Sequence, residues 1–560
     1  GPVGQKLQQT ARSPPAGRAL AAGFVHRKFE EKLGDIHHTG VFIHNDKSAG
    51  AHHSADSRQV VIIDGSVDKL HGNAAAGRTA GLDRLDLLRV RAADIENDFA
   101  QWYTDVVLKT ELVDYGPVKG TMVIRPYGYA IWENIQREMD ARFKATGHEN
   151  AYFPMLIPYS YLMKEAEHVE GFAPEVALVT HVGDTPLAEK LVIRPTSETI
   201  ICQMYSKWVQ SYRDLPMLIN QWANVVRWEK TTRPFLRTSE FLWQEGHTLH
   251  ATPEEAQEET LKMLHVYEEF AKNVLAMPVL IGQKSEKEKF AGAQATYSME
   301  AMMHDGKSLQ AGTTHYFGTN FSEAFDIKFL DKDGTHKNPY QTSWGTSTRM
   351  IGAVIMTHGD QRGLCLPPYV APVQAVIIPI AAHKGGVMEK AEEIYNALKA
   401  AGFRVKLDDS DNSPGWKFNE YEMKGVPVRI EIGPRDIENG VVTYARRDKT
   451  GEKFTLAIDG IEKEMPELLQ SINENMYQKA LDHLNSHIKV VHNTDELRDA
   501  VDSGNFGLGM WCGCRECEDK LKADMQVTTR NMPFDQTPVG DKCVVCGKPA
   551  KKKIYFGRAY

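Results

Sequence analysis

Apolar residues at 131, 135, 139 and 143 recur every four positions between 127 and 144, the spacing of one helix face, and Gly147 follows as a stop. Residues 151–157 form a short apolar run punctuated by Pro154 and Pro158, which predicts a strand. Thr252-Pro253-Glu254-Glu255 combines a capping hydroxyl, a proline in the first turn and a Glu three residues after the cap. A helix should therefore begin there and present Leu261, Leu264 and Phe270. Strand-like runs recur at 225–228, 241–244 and 354–356. After Pro367-Pro368 the pattern changes to a buried-strand run at 373–378, a helix at 387–401, a strand at 403–407, an alternating stretch at 426–432 and a further strand at 441–444. Strands alternating with helices predict a compact α/β domain with a mostly covered sheet.

The first ninety or so residues have a different texture. They hold His37-His38 and His52-His53 and Ala-, Gly- and Arg-rich stretches, with no Trp or Tyr before Trp102. Residues 1–95 read as a weakly structured extension with one short strand at 60–64. No apolar signal-peptide core follows Gly1-Pro2. The His pairs have no partner at a ligand spacing, so metal binding there is not expected.

Length and charge narrow the class. The chain has 560 residues, which at about 100–200 residues per domain implies several domains. With 42% apolar and 25% charged residues it has the composition of a soluble globular protein, and its apolar runs fall short of a membrane span. A net charge of −8 disfavours coating nucleic acid by bulk charge and leaves local basic patches as the route.

Five of the seven cysteines lie between Cys512 and Cys546. Cys512 and Cys517 are separated by four residues, and Cys543 and Cys546 by two. Two short Cys pairs joined by a longer loop have the spacing of a closed, structural four-thiolate zinc site in a reducing compartment. Cys514 offers an alternative first pair with Cys517. Cys202 and Cys365, in apolar surroundings, read as core residues.

Arg227-Trp228-Glu229 and Arg237-Thr238-Ser239-Glu240-Phe241 flank a polar loop between two strands. Guanidinium groups there could clamp a phosphate and a carboxylate bidentately, although strand-end ion pairs have the same appearance. A GxxxxGK[ST] phosphate loop and a GxGxxG fingerprint after a strand are both absent, which argues against P-loop and Rossmann nucleotide sites.

From about Phe99 to Tyr560 the sequence resembles the class II aminoacyl-tRNA synthetases, specifically the prolyl-tRNA synthetases of eukaryotic and archaeal type. The resemblance is carried by residues 147–154, His168-Val169-Glu170-Gly171-Phe172, Arg194-Pro195-Thr196-Ser197-Glu198, 225–229 with 235–247, 310–315, 343–349 and Gly433-Pro434-Arg435-Asp436. It implies an α+β fold: a six- to seven-stranded antiparallel sheet flanked by helices, an α/β anticodon-binding domain and a small C-terminal α/β zinc domain. Expected boundaries are 96–370 for the catalytic domain, 371–484 for the anticodon-binding domain and 485–560 for the zinc domain.

The resemblance further implies an ATP-dependent proline–tRNA ligase, a cytoplasmic homodimer acting on L-proline, ATP with Mg2+, and tRNA(Pro). Arg227 and Arg349 match the catalytic arginines of motifs 2 and 3. ATP-binding positions would be Arg227, Glu229, Arg237, Thr238, Phe241, Gln310, Thr313 and Arg349. Thr196 and Glu198 match the ammonium-binding positions, with Arg227 beside the carboxylate and Trp243, Phe290 and His315 forming the pocket wall. Cys512, Cys517, Cys543 and Cys546 would hold Zn2+. Motif 1, residues 127–144 with the strand containing Pro154, builds the dimer interface in the family. Only about a hundred residues separate Glu240 from Ser343, so the large editing insertion of bacterial-type relatives is expected to be absent. Residues 424–429, Arg435 and Arg446-Arg447-Asp448 fall in the part that meets tRNA, and Tyr560 matches a terminal tyrosine directed at the active site. Ala293 and Ala311 stand where many relatives have Gly. The competing readings are a non-catalytic synthetase-like protein that binds tRNA or a regulatory partner, which the intact Arg227, Arg349, Glu198 and Phe241 oppose, and a class II relative for threonine or glycine.

Overall fold

The computed structural model describes residues 92–168 and 176–560, all within one compact unit, Gly81–Tyr560. The expectations for residues 1–91, including the His pairs and the strand at 60–64, lie outside the described residues, as do Val169–Phe172 of the family-like stretch.

Eight strands build the central sheet: β1 (Glu149–Asn150), β2 (Met217–Val226), β3 (Glu240–His250), β4 (Leu280–Gln283), β5 (Ala295–Met302), β6 (Ser308–Gly318), β7 (Tyr340–Ser347) and β8 (Met532–Pro533). Their order is β8-β4-β5-β6-β7-β3-β2-β1. The six inner strands are antiparallel, as expected, but each edge carries a two-residue strand, and β1 runs parallel to β2. The sheet therefore has eight strands rather than six or seven. The extra strand β8 comes from the C-terminal part and covers an edge that would otherwise expose unpaired backbone groups.

The four-residue periodicity forms helix α1 (Pro126–Ala145), and Ile131, Ile135, Met139 and Phe143 are all buried in the core of this chain. The capping signal forms α2 (Pro253–Asn273), where Thr252 Oγ1 accepts from the Glu255 N–H and Glu255 reaches back to the Ala251 N–H. Both helices pack on one face of the sheet around Phe143, Tyr267 and Trp344, with the Phe143 and Trp344 rings 4.9 Å apart. Gly246 on β3 makes room for this cluster, because a Cβ there would lie 2.0 Å from the Trp344 ring.

Two local expectations are corrected. Residues 354–356 are not a strand but part of α3 (Arg349–His358), in which Met350–Met356 are buried throughout. A short, wholly apolar run lacks the periodicity that separates a buried helix from a buried strand. Residues 151–157 are not one strand either: β1 ends at Asn150, and ladder pairing resumes only at Leu156–Pro158, across Pro154, which has no N–H to donate.

The predicted α/β region forms a five-stranded sheet in the order Val405–Leu407, Ala375–Pro379, Val428–Ile432, Val441–Arg446, Phe454–Ala457. Helices Val387–Ala400 and Ile461–Ser486 cover the apolar cluster on one face. A four-stranded sheet holding Phe506–Trp511 and Lys552–Gly557 follows. This last part is fastened to the central sheet by a buried charge cluster. The fully buried Glu300 of β5 accepts from Arg530 at 2.7 Å and from Lys284 at 3.2 Å. Burial alone would favour the protonated acid, but the two cations and the Ser308 hydroxyl hold its pKa well below the usual carboxylate range.

Candidate active site

Strand alternation sets the floor of the central cleft. Phe241, Trp243, Glu245 and His247 lie two residues apart on β3 and all face the same cavity of about 250 Å³. Leu242 and Gln244 point the other way, into the helix-packed layer, where Gln244 accepts from Tyr267 and donates to Asn220. Strands β6 and β7 add Gln310, Thr313, His315 and Ser343, and the loop before β5 adds Phe290.

One end of the cleft suits an ammonium group. Glu198 begins the helix Glu198–Trp208, where the positive end of the helix dipole favours a carboxylate. Thr196 donates its hydroxyl to Glu198, and both side chains are almost fully buried. Nearby, Phe290 packs on His315 at 4.7 Å. The two nitrogens of His315 meet the hydroxyls of Thr296 at 3.0 Å and Thr313 at 3.1 Å. Burial, reinforced by the charge of His247, depresses the His315 pKa to about 3, so this wall is neutral at physiological pH.

The other end suits an anion. Arg227, just past β2, donates Nε to the Pro195 carbonyl at 2.9 Å, and its guanidinium lies 5.5 Å from the Phe241 ring and 5.3 Å from the Trp243 ring. Arg349 starts α3 and donates to the carbonyls of Leu236 at 3.0 Å and Gln310 at 3.4 Å. Neither arginine makes an ion pair among the described residues. Burial, together with the neighbouring charges of Arg237 and Arg227, lowers the Arg349 pKa to about 10. Buried guanidinium groups with no ion-pair partner, Arg227 feeling Glu198, Glu245 and Glu229 only at longer range, form a ready site for a phosphate chain.

Of the expected site residues, Thr196, Glu198, Arg227, Phe241, Trp243, Phe290, Gln310, Thr313, His315 and Arg349 come together around this cavity. Glu229, Arg237 and Thr238 do not line it. Arg237 is half exposed, 4.0 Å from Glu229, and the Thr238 hydroxyl is taken by the Glu240 carbonyl at 2.7 Å. Glu245 and His247 were not singled out from the sequence, although the two-residue period running on from Phe241 and Trp243 points to both. A larger cavity of about 660 Å³ lies between α3 and the helix Ile461–Ser486, but it gathers none of the expected site residues, and its Arg447 is bound to Asp360. It is not the site.

In the C-terminal part, Cys512, Cys517, Cys543 and Cys546 bring their sulfurs within 4.8 Å of one another. Cys514 is exposed at the start of the helix Arg515–Met525 and stands outside the group, so the geometry favours Cys512 with Cys517 as the first pair. Cys202 and Cys365 are buried, as expected. Tyr560 donates its hydroxyl to Asp305 at 2.7 Å, with the Arg233 guanidinium 5.7 Å and the Lys307 ammonium 5.0 Å from its ring. Residues 240–343 hold strands β3–β6 and the start of β7, α2 and short local elements, with no inserted domain.

An antiparallel sheet with unpaired arginines at one end of its cleft and a buried Glu at the other defines a class II aminoacyl-tRNA synthetase core. Residues 181–358 match the tRNA synthetase class II core domain (G, H, P, S and T), 374–468 match an anticodon binding domain, and 494–560 match the prolyl-tRNA synthetase C-terminal family. The proline–tRNA ligase of Alkaliphilus oremlandii is 63% identical over 83% of this chain and 97% of its own length. Proline–tRNA ligase 2 of Clostridioides difficile is 59% identical over the same shares. The crystal structure of prolyl-tRNA synthetase from Cryptosporidium parvum complexed with halofuginone and AMPPNP superimposes with a TM-score of 0.79 at 42% identity, covering 84% of this chain and 97% of that one. The chain belongs to the prolyl-tRNA synthetase family.

Proposed function

We propose that the protein activates L-proline with ATP to prolyl-adenylate and pyrophosphate, then transfers proline to the 3′ end of tRNA(Pro). The observation that carries this reading is the charge layout of one cleft, in which Glu198 and Thr196 lie beside Arg227, held by the Pro195 carbonyl, and Arg349 adds a second buried guanidinium to the same cavity. Proline's carboxylate is already an anionic nucleophile, so attack on the α-phosphorus needs no general base. The protein's task is to align the two substrates and to spread the charge that grows on the phosphate oxygens.

Arg227 sits where it can touch both the carboxylate and the α-phosphate, and Arg349 where it can take the distal phosphates. Phe241 offers a face for adenine, while Gln310 and Thr313 supply polar edges for the nucleotide. Glu198 and Thr196 accept the secondary ammonium, and Trp243, Phe290 and the neutral His315 enclose the ring. Glu198 serves the ammonium that every amino acid carries, so selectivity rests on the ring's fit against Trp243, Phe290 and His315, worth about 1–3 kcal/mol per methylene. ATP would enter as its Mg2+ complex, and Gln310, which lines the cavity, offers an oxygen donor of the kind Mg2+ prefers.

The four cysteines fit Zn2+. Cys512 lies 3.6 Å from Cys517 and 3.8 Å from Cys546, sulfur to sulfur. Tetrahedral thiolates with Zn–S bonds of about 2.3 Å stand about 3.8 Å apart. Such a site has no open position and serves the fold. Metal analysis should find about one zinc per chain, lost in Cys543→Ser; a folded, metal-free wild type would refute the site.

We further propose a cytoplasmic homodimer. The apolar stripe of α1 is spent inside this chain, and the exposed apolar residues around motif 1, among them Tyr115, Val123, Tyr152 and Leu156, are the surface that supports dimerisation. Among the described residues no helix is long and apolar enough to cross a membrane. Anticodon contacts would use the exposed Arg435, whereas Arg446 and Arg447 are committed to aspartates.

The test is ATP–pyrophosphate exchange without tRNA, across all twenty amino acids. Exchange should depend on proline; silence with proline and turnover with threonine would overturn the reading.

A further inference from the structure

Two charged side chains in the cleft play no part in the chemistry above. Glu245 and His247 are each 3% exposed and face the cavity beyond Trp243. One oxygen of Glu245 accepts from Ser197 Oγ at 2.5 Å and from Gln221 Nε2 at 2.8 Å, and the other meets His247 Nε2 at 2.9 Å. Gln221 is itself fixed, because its carbonyl accepts from the Phe153 N–H at 2.6 Å. Ser197 stands between Thr196 and Glu198, the two residues at the ammonium end.

A buried carboxylate is costly unless it is paired and its lone pairs are filled. Burial raises the Glu245 pKa, but the His247 bond and charge, with Ser197 and Gln221, outweigh it and hold the group ionised. Burial likewise opposes charge on His247, and Glu245, with Glu198 beyond it, outweighs that and raises its pKa. The pair is therefore ionic but carries no net charge. It gives Ser197 a fixed, charge-assisted anchor without adding a second negative field beside Glu198. The arginines are held by other bonds, Arg227 by the Pro195 carbonyl and Arg349 by the backbone of Leu236 and Gln310, although the Glu245 charge also acts on Arg227.

Resting on the proline-activation reading, we propose that Glu245 and His247 are positioning residues for the amino acid. Through Ser197 they hold Thr196 and Glu198 in the arrangement that receives proline's secondary ammonium, and so set the KM for proline independently of ATP.

The experiment is proline-dependent ATP–pyrophosphate exchange by wild type, His247→Leu, His247→Gln and Ser197→Ala, with KM measured separately for proline and ATP. Losing a hydrogen bond to a charged group is worth about tenfold or more in affinity, so His247→Leu should raise the proline KM by about that factor. Its KM for ATP should stay near wild type. His247→Gln retains a donor towards Glu245 and should recover most of the loss. Ser197→Ala should raise the proline KM alone, by a smaller factor. Unchanged proline KM in His247→Leu and Ser197→Ala, or a parallel rise in both KM values, overturns the proposal. If His247→Leu does not fold, Ser197→Ala decides by itself. Wild-type turnover with proline checks the underlying reading, so active wild type with unaffected variants defeats this inference alone.

Discussion

Arg227 and Arg349 in the central cleft and Arg446 and Arg447 in the five-stranded region all stand at or just past the ends of strands or helices. Their fates are opposite. Arg446 makes two bonds to Asp448, at 2.7 and 3.0 Å, and Arg447 makes two to Asp360, at 2.6 and 2.8 Å. Arg227 and Arg349 bond only to backbone carbonyls and lie beside one another's charge. The first pair has its counter-ions built in and holds the fold. The second makes no ion pair among the described residues, although the charges of Glu198, Glu245 and Glu229 act on Arg227, and on the proposed reading a ligand would complete it. An arginine in a functional motif is thus informative only once its partner is known.

The contrast can be broken in three places. Asp448→Ala leaves Arg446 buried without its carboxylate and should cost about 3–5 kcal/mol of stability, read as a lower denaturant midpoint. Proline-dependent exchange at low temperature should change little; a silent effect on stability would mean that this pair is not structural. Arg349→Ala should slow exchange by about 10²–10³-fold, as when one transition-state donor is removed, with little change in melting temperature. A large loss of stability with normal turnover would place Arg349 with the structural pair. Arg435→Ala should have the smallest effect: tRNA binding weakened uniformly, with its salt-dependence slope reduced by about one. An unchanged slope would remove Arg435 from the tRNA surface.

Much of the cleft was legible before any coordinates. The helix start at Pro253 follows from local rules, a capping Thr, a proline in the first turn and a Glu, that act within one turn, and the four-residue spacing marks α1 to within a residue or so. Ten of the expected site residues meet around one cavity because motifs at strand ends keep their meaning when strands pair. Thr238 stands outside that cavity with its hydroxyl donating to the Glu240 carbonyl, a partner that no spacing reveals. Residues 354–356 failed because a wholly buried helix shows no polar face to mark its period.

The interval between cysteines, the capping signals, the two-residue alternation of β3 and the family motifs are properties of the chain read along its length, and they determined the class of protein and its principal elements. The tertiary structure decided which charges are spent and which remain. It set Asp360 against Arg447 across 87 residues, Ser197 against Glu245 across 48, and Glu300 against Arg530 across 230. It also left Cys514 outside the thiolate cluster and turned the α1 stripe inward. The physical reason is range. Propensity and capping act within a turn or a strand, whereas burial and ion pairing depend on groups that meet only after the sheet has formed.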